Sequence, residues 1–431
     1  MALLIYLVLP VALLALGLPI YVILLVTALT GLALTPDLPY TALHTVLFGS
    51  LDSFPLLAVP LFILAGDIMG QGGLARRLIE WVLALIGGVR GSLALATIGS
   101  SELFGAMSGS SVACVAAIGQ LLFRPLRDGG YGERFAVSLL ASSGSIAIII
   151  PPSIAMIIYG ITAQQSVPNL FLAGIVPGVL IGIAAAFYVL VYSSRNAVPL
   201  TDRARWRHIF VTTRRAGWSL GAPVVILGGI YTGVFTPTEA AGVAVLYAAL
   251  VCRYAYGDVT WRGLWRIAMG SAFLIAQVMI IVAAAGVYSW LVTTSGLPQS
   301  FAAFVLGLRL ETWELLLAFN VLLLVVGTFI EPPAAILILT PLFMPIIQAA
   351  GVNAIHFGII MTVNLAIGMF TPPFGLNLFA AHALFRVPLA TIYRGVLPFL
   401  GIYLLALLVI TYVPQITLAP LRLVGIKAAG F

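Results

Sequence analysis

Gly144-Ser145-Ile146-Ala147-Ile148-Ile149-Ile150-Pro151-Pro152-Ser153 puts a pair of prolines inside a long apolar run. Proline removes a backbone donor and clashes with the carbonyl one turn back, so a helix breaks there. The same event recurs at Gly368-Met369-Phe370-Thr371-Pro372-Pro373-Phe374-Gly375, inside another apolar run. Hydrocarbon tolerates broken backbone only where it is buried in protein or lines a cavity. Two breaks in matching places predict a site built from both.

Composition sets the environment. Of 431 residues, 62% are hydrophobic and 8% charged, and the mean hydropathy is +1.17. Soluble domains carry about 25% charged residues, so this is an all-α polytopic membrane protein by composition. The net charge of +7 rests almost wholly on arginine, with Lys427 the sole lysine. In so apolar a chain, that excess marks cytoplasmic loops rather than a nucleic-acid surface. A lipid bilayer is therefore an expected partner and nucleic acid is not. Cys114 and Cys252 lie in or beside apolar segments and read as packing thiols. No cleavable signal is evident, because the apolar start runs straight into more membrane sequence. No Gly-rich loop ends in Gly-Lys-Ser/Thr, so energy must come from an ion gradient or a partner.

Arginines then assign sides. The 33 residues between Arg90 and Arg124 have room for two helices, each too short for a hydrocarbon core of about 30 Å. Their middle, Gly105-Ala106-Met107-Ser108-Gly109-Ser110-Ser111, is poor helix material. Arg90 at one end and Arg124 and Arg127 at the other put both ends in the cytoplasm. This predicts a re-entrant hairpin over about 91–123 with its tip in mid-membrane. A broken crossing over about 134–165 follows, and 169–192 returns. Residues 195–215 carry Arg195, Arg203, Arg205, Arg207, Arg214 and Arg215, and 201–215 reads as a basic cytoplasmic linker. Residues 74–90 form an amphipathic, interfacial stretch.

The second half follows the same plan. Residues 216–234 and 237–252 cross out and back, Arg262 and Arg266 stay cytoplasmic, and 268–292 crosses outward. Residues 296–309 lie in the interface. A second hairpin spans about 312–344 and breaks at Gly327-Thr328-Phe329-Ile330-Glu331-Pro332-Pro333. A broken crossing spans about 355–385, and 395–413 crosses outward. Gly73-Leu74 recurs as Gly296-Leu297, Gly105 as Gly327, Leu122-Phe123 as Leu342-Phe343, Phe135 as Phe357 and Pro151-Pro152 as Pro372-Pro373. The offset stays between 220 and 223 residues, too steady for chance in apolar sequence. Residues 1–200 and 216–431 are thus expected to be two repeats. One hairpin has basic flanks and the other has only Arg309, so the repeats are inverted, with both chain termini in the periplasm.

Re-entrant tips offer partial positive charge at helix N-termini and free carbonyls at C-termini. Carbonyls and hydroxyls are hard oxygen ligands suited to a small alkali cation. Two tips facing two breaks therefore predict two cation sites with a solute between them. The first uses Ser108, Ser110 and Ser111 with carbonyls near Gly144, Ile148 and Pro151. The second uses carbonyls near Gly327 and Gly368 with the hydroxyls of Thr371 and Thr328. Gly109, Pro152, Ser153, Glu331, Pro373 and Asn377 are the candidate solute contacts. Small residues also simply let helices pack closely, and an isolated Gly-Ser-Ser would read that way. Of the other embedded acids, Asp67 reads as structural, Glu102 as a backbone partner, and Glu239 as part of a cap on Thr236.

At these residues the chain resembles the large membrane subunit of TRAP (tripartite ATP-independent periplasmic) transporters, over nearly its whole length. The resemblance is carried by Pro60-Leu61-Phe62-Ile63-Leu64-Ala65-Gly66, by Gly105 to Ser111 and by Leu172-Ala173-Gly174-Ile175-Val176-Pro177-Gly178. It continues in Gly233-Val234-Phe235-Thr236-Pro237-Thr238-Glu239-Ala240-Ala241, Ile336-Leu337-Ile338-Leu339-Thr340-Pro341 and His356-Phe357-Gly358-Ile359-Ile360. Asn364-Leu365-Ala366-Ile367-Gly368, Thr371-Pro372-Pro373 and Gly375-Leu376-Asn377 complete it. It implies sodium-coupled import of an organic acid, such as a C4-dicarboxylate or sialic acid, across a bacterial inner membrane. It implies a periplasmic substrate-binding protein and a small four-helix membrane subunit as partners. It also implies an elevator-type fold of the ion-transporter superfamily, in which hairpins and broken helices move against a scaffold. The chain departs from the family at Glu331, where an Asp is common, and in the Pro332-Pro333 that follows. Two other readings stand beside this one: a stand-alone sodium- or proton-coupled anion permease, and an intramembrane enzyme. The enzyme reading needs a buried Ser-His or paired-Asp constellation, which four histidines, two of them near loops, support weakly.

Overall fold

Proline and glycine breaks cut the apolar sequence into helices, and no strand occurs among the described residues of the computed structural model, 4–34, 39–199 and 206–426. Arg203, Arg205 and Lys427, and residues 201–205 of the expected linker, lie outside them. Seven described helices are long and apolar enough to cross a membrane, or eight when one bent pair counts as a single span.

The first half contains α1 (Leu9–Ala15), α2 (Ile20–Ala33), α3 (Thr41–Gly49), α4 (Ala58–Gln71) and α5 (Leu74–Ile86). After them come α6 (Ser92–Ser108), α7 (Ser111–Leu126), α8 (Glu133–Ile149), α9 (Ile154–Thr162) and α10 (Val167–Arg195). The second half contains α11 (Trp206–Tyr231), α12 (Pro237–Leu250), α13 (Trp261–Thr294), α14 (Leu297–Gly307) and α15 (Thr312–Phe329). It closes with α16 (Pro332–Ala349), α17 (Ala354–Gly368), α18 (Leu376–Phe385), α19 (Leu389–Tyr412) and α20 (Gln415–Leu423). From α4 onward the plan runs twice, with α13–α19 repeating the order of α4–α10.

Two boundaries differ from the sequence reading. The linker is helical from Trp206, so Arg207, Arg214 and Arg215 ride on α11. Nothing between 206 and 215 breaks a helix, and the stretch extends the apolar helix that follows. Likewise Arg262 and Arg266 belong to the 34-residue helix α13 rather than to a separate segment. At 1.5 Å per residue, α13 is about 50 Å long, well over the roughly 30 Å of a hydrocarbon core.

Both hairpins fold back on themselves. In the first, the Leu93 side chain lies beside Gly129, so the feet of α6 and α7 meet. The Cys114 thiol donates across the pair to the Ser101 carbonyl at 3.8 Å. In the second, the rings of Phe319 on α15 and Phe343 on α16 lie 4.5 Å apart, and both contact Phe357 on α17. The repeats also exchange partners. The short helix α9 packs on α16, and its counterpart α18 packs on α7. Helix α2 packs on α13, and α12 on α4.

Polar links fix the outer helices. Ser271 on α13 donates to Asp67 on α4 at 2.6 Å. Thr236 and Glu239 form a reciprocal capping box at the start of α12. Arg77 on α5 reaches the Asp258 carboxylate and stacks over the Tyr256 ring at 3.7 Å. One face of α5 (Leu74, Ala75, Leu78, Ile79, Val82) is buried against α6 and α11, while Arg76 and Glu80 face outward.

Candidate translocation site

The first hairpin turns at Gly109, whose φ of +60° is left-handed, a conformation glycine adopts without cost. Ser110 then leaves the helix in extended backbone, and its hydroxyl accepts from the Ala113 amide to cap α7. Ser153 does the same after the first proline pair, accepting from the Met156 amide to cap α9. The helix pair α8–α9 bends by 41° across Ile150-Pro151-Pro152-Ser153. The peptide between the prolines is cis here and also at Pro372-Pro373.

Tip and break touch through backbone. A Cβ added at Gly109 would sit 2.6 Å from the Pro152 carbonyl oxygen. One added at Gly105 would sit 2.6 Å from the Ala147 Cα. Gly144 lies against Val115 and the Ser111 carbonyl. The other hairpin repeats this contact, because a Cβ at Gly368 would sit 2.6 Å from the Gly327 Cα. Glycine at these points, lacking a Cβ, lets the backbones of tip and broken helix approach closely.

Ser108, Gly109, Ser111, Gly144, Ile148, Pro151, Pro152 and Ser153 are all buried, and Ser110 is half-buried. The Ser108 hydroxyl has no hydrogen-bond partner, although the residue is 1% exposed. An orphaned buried hydroxyl at a helix end is a neutral oxygen donor of the kind an alkali cation takes. No cluster of three His, Cys, Asp or Glu side chains able to hold a metal ion occurs among the described residues. Ser111 is differently engaged. It donates to the Asn377 amide oxygen at 2.9 Å and accepts from the amide nitrogen at 2.7 Å. That nitrogen also donates to the Ala141 carbonyl of α8 at 2.9 Å. Asn377 follows the second break, so one fully buried side chain ties the second repeat to the tip and broken helix of the first.

At the second site, Gly327, Gly368, Thr328 and Thr371 are buried. The hydroxyls of Thr328 and Thr371 turn back onto their own helices, donating to the carbonyls of Val325 and Ile367. Glu331 is half-buried at the start of α16. Pro373 is exposed, and its carbonyl accepts from the Tyr393 hydroxyl at 2.7 Å. Beside it, the exposed rings of Phe329 and Phe374 pair at 5.1 Å across tip and break. Glu102 points at Gly182 of α10.

Sequence reasoning missed a buried polar chain beneath the second hairpin. Asn364 on α17 donates to Asn320 on α15, which donates to Thr411 on α19 at 3.1 Å. His356 bridges the Thr417 hydroxyl and the Thr411 carbonyl at 2.8 and 3.2 Å. Its only sequence signal was asparagine and histidine inside apolar helices.

A cavity of about 660 Å³ separates α4 from α7. Arg76, Asp258 and Gly66 are among its lining, and a Cβ on Gly66 would lie 2.8 Å from the Ser108 Cβ. The cavity therefore reaches a residue in contact with the first tip.

Comparison with known proteins agrees with this architecture. The family described as "Tripartite ATP-independent periplasmic transporter, DctM component" matches residues 7–416. A C4-dicarboxylate TRAP transporter large permease protein of Pseudomonas aeruginosa is 42% identical, over 91% of this chain and 92% of that protein. An ectoine TRAP transporter large permease protein of Halomonas elongata is 41% identical, over 84% of this chain and 85% of that protein. A sialic acid counterpart from Vibrio cholerae is 37% identical, over 93% and 94%. Among solved structures, the YdaH transporter of Alcanivorax borkumensis superposes with a TM-score of 0.64 at 16% identity, covering 94% of this chain and 97% of that one, a likeness of fold. The chain belongs to the DctM component family of the tripartite ATP-independent periplasmic transporters.

Proposed function

We propose that this chain is the translocating subunit of a sodium-coupled importer of an organic acid, working with a small membrane subunit and a periplasmic binding protein. The observation that carries the reading is the first tip. There the orphaned Ser108 hydroxyl precedes Gly109, which packs against the Pro152 carbonyl, and Ser111 of the same tip is held by Asn377. Sodium is held there by neutral oxygens, with a second ion at Gly327, Thr328, Gly368 and Thr371.

Relatives named for C4-dicarboxylate, ectoine and sialic acid support a small carboxylate-bearing solute. It would lie between the tips, bound by helix N-termini and by groups near Ser153, Glu331 and Asn377. In this reading the repeats are inverted and the arginine-rich side is cytoplasmic. The cavity between α4 and α7 is then the inward vestibule of an elevator, whose moving part holds both hairpins and both broken helices.

The test is uptake into proteoliposomes with the small subunit and the binding protein present. A sodium gradient should drive uptake and a potassium gradient should not. Ser108→Ala should raise the sodium concentration needed for half-maximal uptake. Equal uptake in potassium would remove the cation assignment.

A further inference from the structure

A second cavity of about 720 Å³ lies between α5 and α11 and shares only Arg76 with the cavity between α4 and α7. Four arginines line it, Arg76 and Arg77 from α5 and Arg214 and Arg215 from α11, together with Phe210 and Trp218. We propose that this cleft binds the phosphate of an anionic phospholipid between α5 and α11.

Charge is the first argument. Against four arginines the cleft offers only Glu80 in its wall and Asp258 beside it. Arg77 is committed to Asp258 and the Tyr256 ring. Arg76 stands 3.9 Å from both Glu80 and Asp258, too far for a good hydrogen bond. Arg214 and Arg215 have no acidic partner among the described residues, and both are exposed. The arginine fork matches phosphate oxygens in pairs, so the unpaired guanidiniums suit that group.

The remaining lining argues for a lipid rather than a dissolved anion. Phe210 is 72% exposed and Trp218 is 56% exposed. A soluble phosphate gains nothing from them, whereas glycerol and upper acyl carbons would cover them. Beyond Trp218, α11 continues in apolar residues, with Val224 70% exposed. The arginines therefore stand where a helix enters the bilayer, at headgroup depth. The two walls are already held together, since the Trp81 indole donates to the Thr213 hydroxyl at 3.0 Å.

The experiment is thermal unfolding of the purified full chain in zwitterionic detergent, titrated with dioleoyl phosphatidylglycerol, dioleoyl phosphatidylcholine or inorganic phosphate. Phosphatidylglycerol should raise Tm by several degrees, roughly the shift of a ligand held well above its Kd. The other two should not. R214Q/R215Q should need about 30-fold more phosphatidylglycerol for the same shift. R262Q/R266Q, two exposed arginines of α13 outside the cleft, should titrate like the parent. Equal losses in both double variants would reduce the effect to surface charge and overturn the proposal. So would an equal shift from phosphate alone, or loss of the shift when the small subunit is bound, which would make the cleft a protein interface. If R214Q/R215Q does not fold, native mass spectrometry of the parent decides. Phosphatidylglycerol retained through exchange into phosphatidylcholine supports the site, and complete exchange overturns it.

Discussion

Ser111 and Asn377, 266 positions apart in sequence, meet through two hydrogen bonds in the buried centre of the molecule. One belongs to the tip of the first hairpin and the other to the helix that follows the break in the second broken crossing. Their contact ties the second half of the chain to the tip and broken helix of the first.

Asn377→Ala leaves the Ser111 hydroxyl and the Ala141 carbonyl without their partner. An unsatisfied buried polar group costs about 1–3 kcal/mol, so the variant should unfold at lower temperature and lose uptake. Ser111→Ala should cost less, because Asn377 keeps Ala141. A double-mutant cycle on Tm should give a coupling above about 0.5 kcal/mol. Additive effects would mean that the pair is incidental.

Gly368→Ala pushes a methyl group into the Gly327 backbone. Overpacking should cost about 1–3 kcal/mol, against the gain of up to about 1 kcal/mol that alanine brings to a helix interior. Gly228 on α11 has open space around it, so Gly228→Ala should show only the gain. Thermal midpoints of the two variants should therefore move in opposite directions, and a rise in both would show that the second tip is loosely packed.

A cysteine pair tests whether α7 slides past α4. A Cβ at Gly70 lies 3.4 Å from the Ala117 Cβ, close to the roughly 3.5–4.5 Å spanned by a disulfide. Oxidised G70C/A117C should stop uptake, and reductant should restore it. Cys114 and Cys252 are buried and free, so the parent should ignore the oxidant. Full uptake by fully cross-linked protein would rule out relative motion at this contact.

Thr236→Ala removes the hydroxyl half of the capping box on α12. Loss of such a cap costs about 1 kcal/mol. Stability should fall by that amount while uptake per folded molecule is unchanged, because Thr236 and Glu239 satisfy each other within the cap. A transport defect without a change in Tm would assign Glu239 and its cap to function instead.

The proline pairs, the Gly-Ser-Ser tip and the steady offset between halves were readable in sequence because each is a local backbone instruction. Proline denies a hydrogen bond wherever it stands, and a glycine before an extended serine ends one helix and caps the next. The membrane setting was equally legible, since 8% charge leaves no soluble alternative. What tertiary structure alone decided was which oxygen atoms remain free. Ser108, Ser110 and Ser111 look equivalent in sequence, yet one hydroxyl is orphaned, one caps a helix and one is held by Asn377. The polar chain through Asn320, Asn364 and His356, and the arginine cleft between α5 and α11, were likewise hidden. Each depends on helices far apart in the chain arriving side by side, and only the packing of apolar faces brings them there.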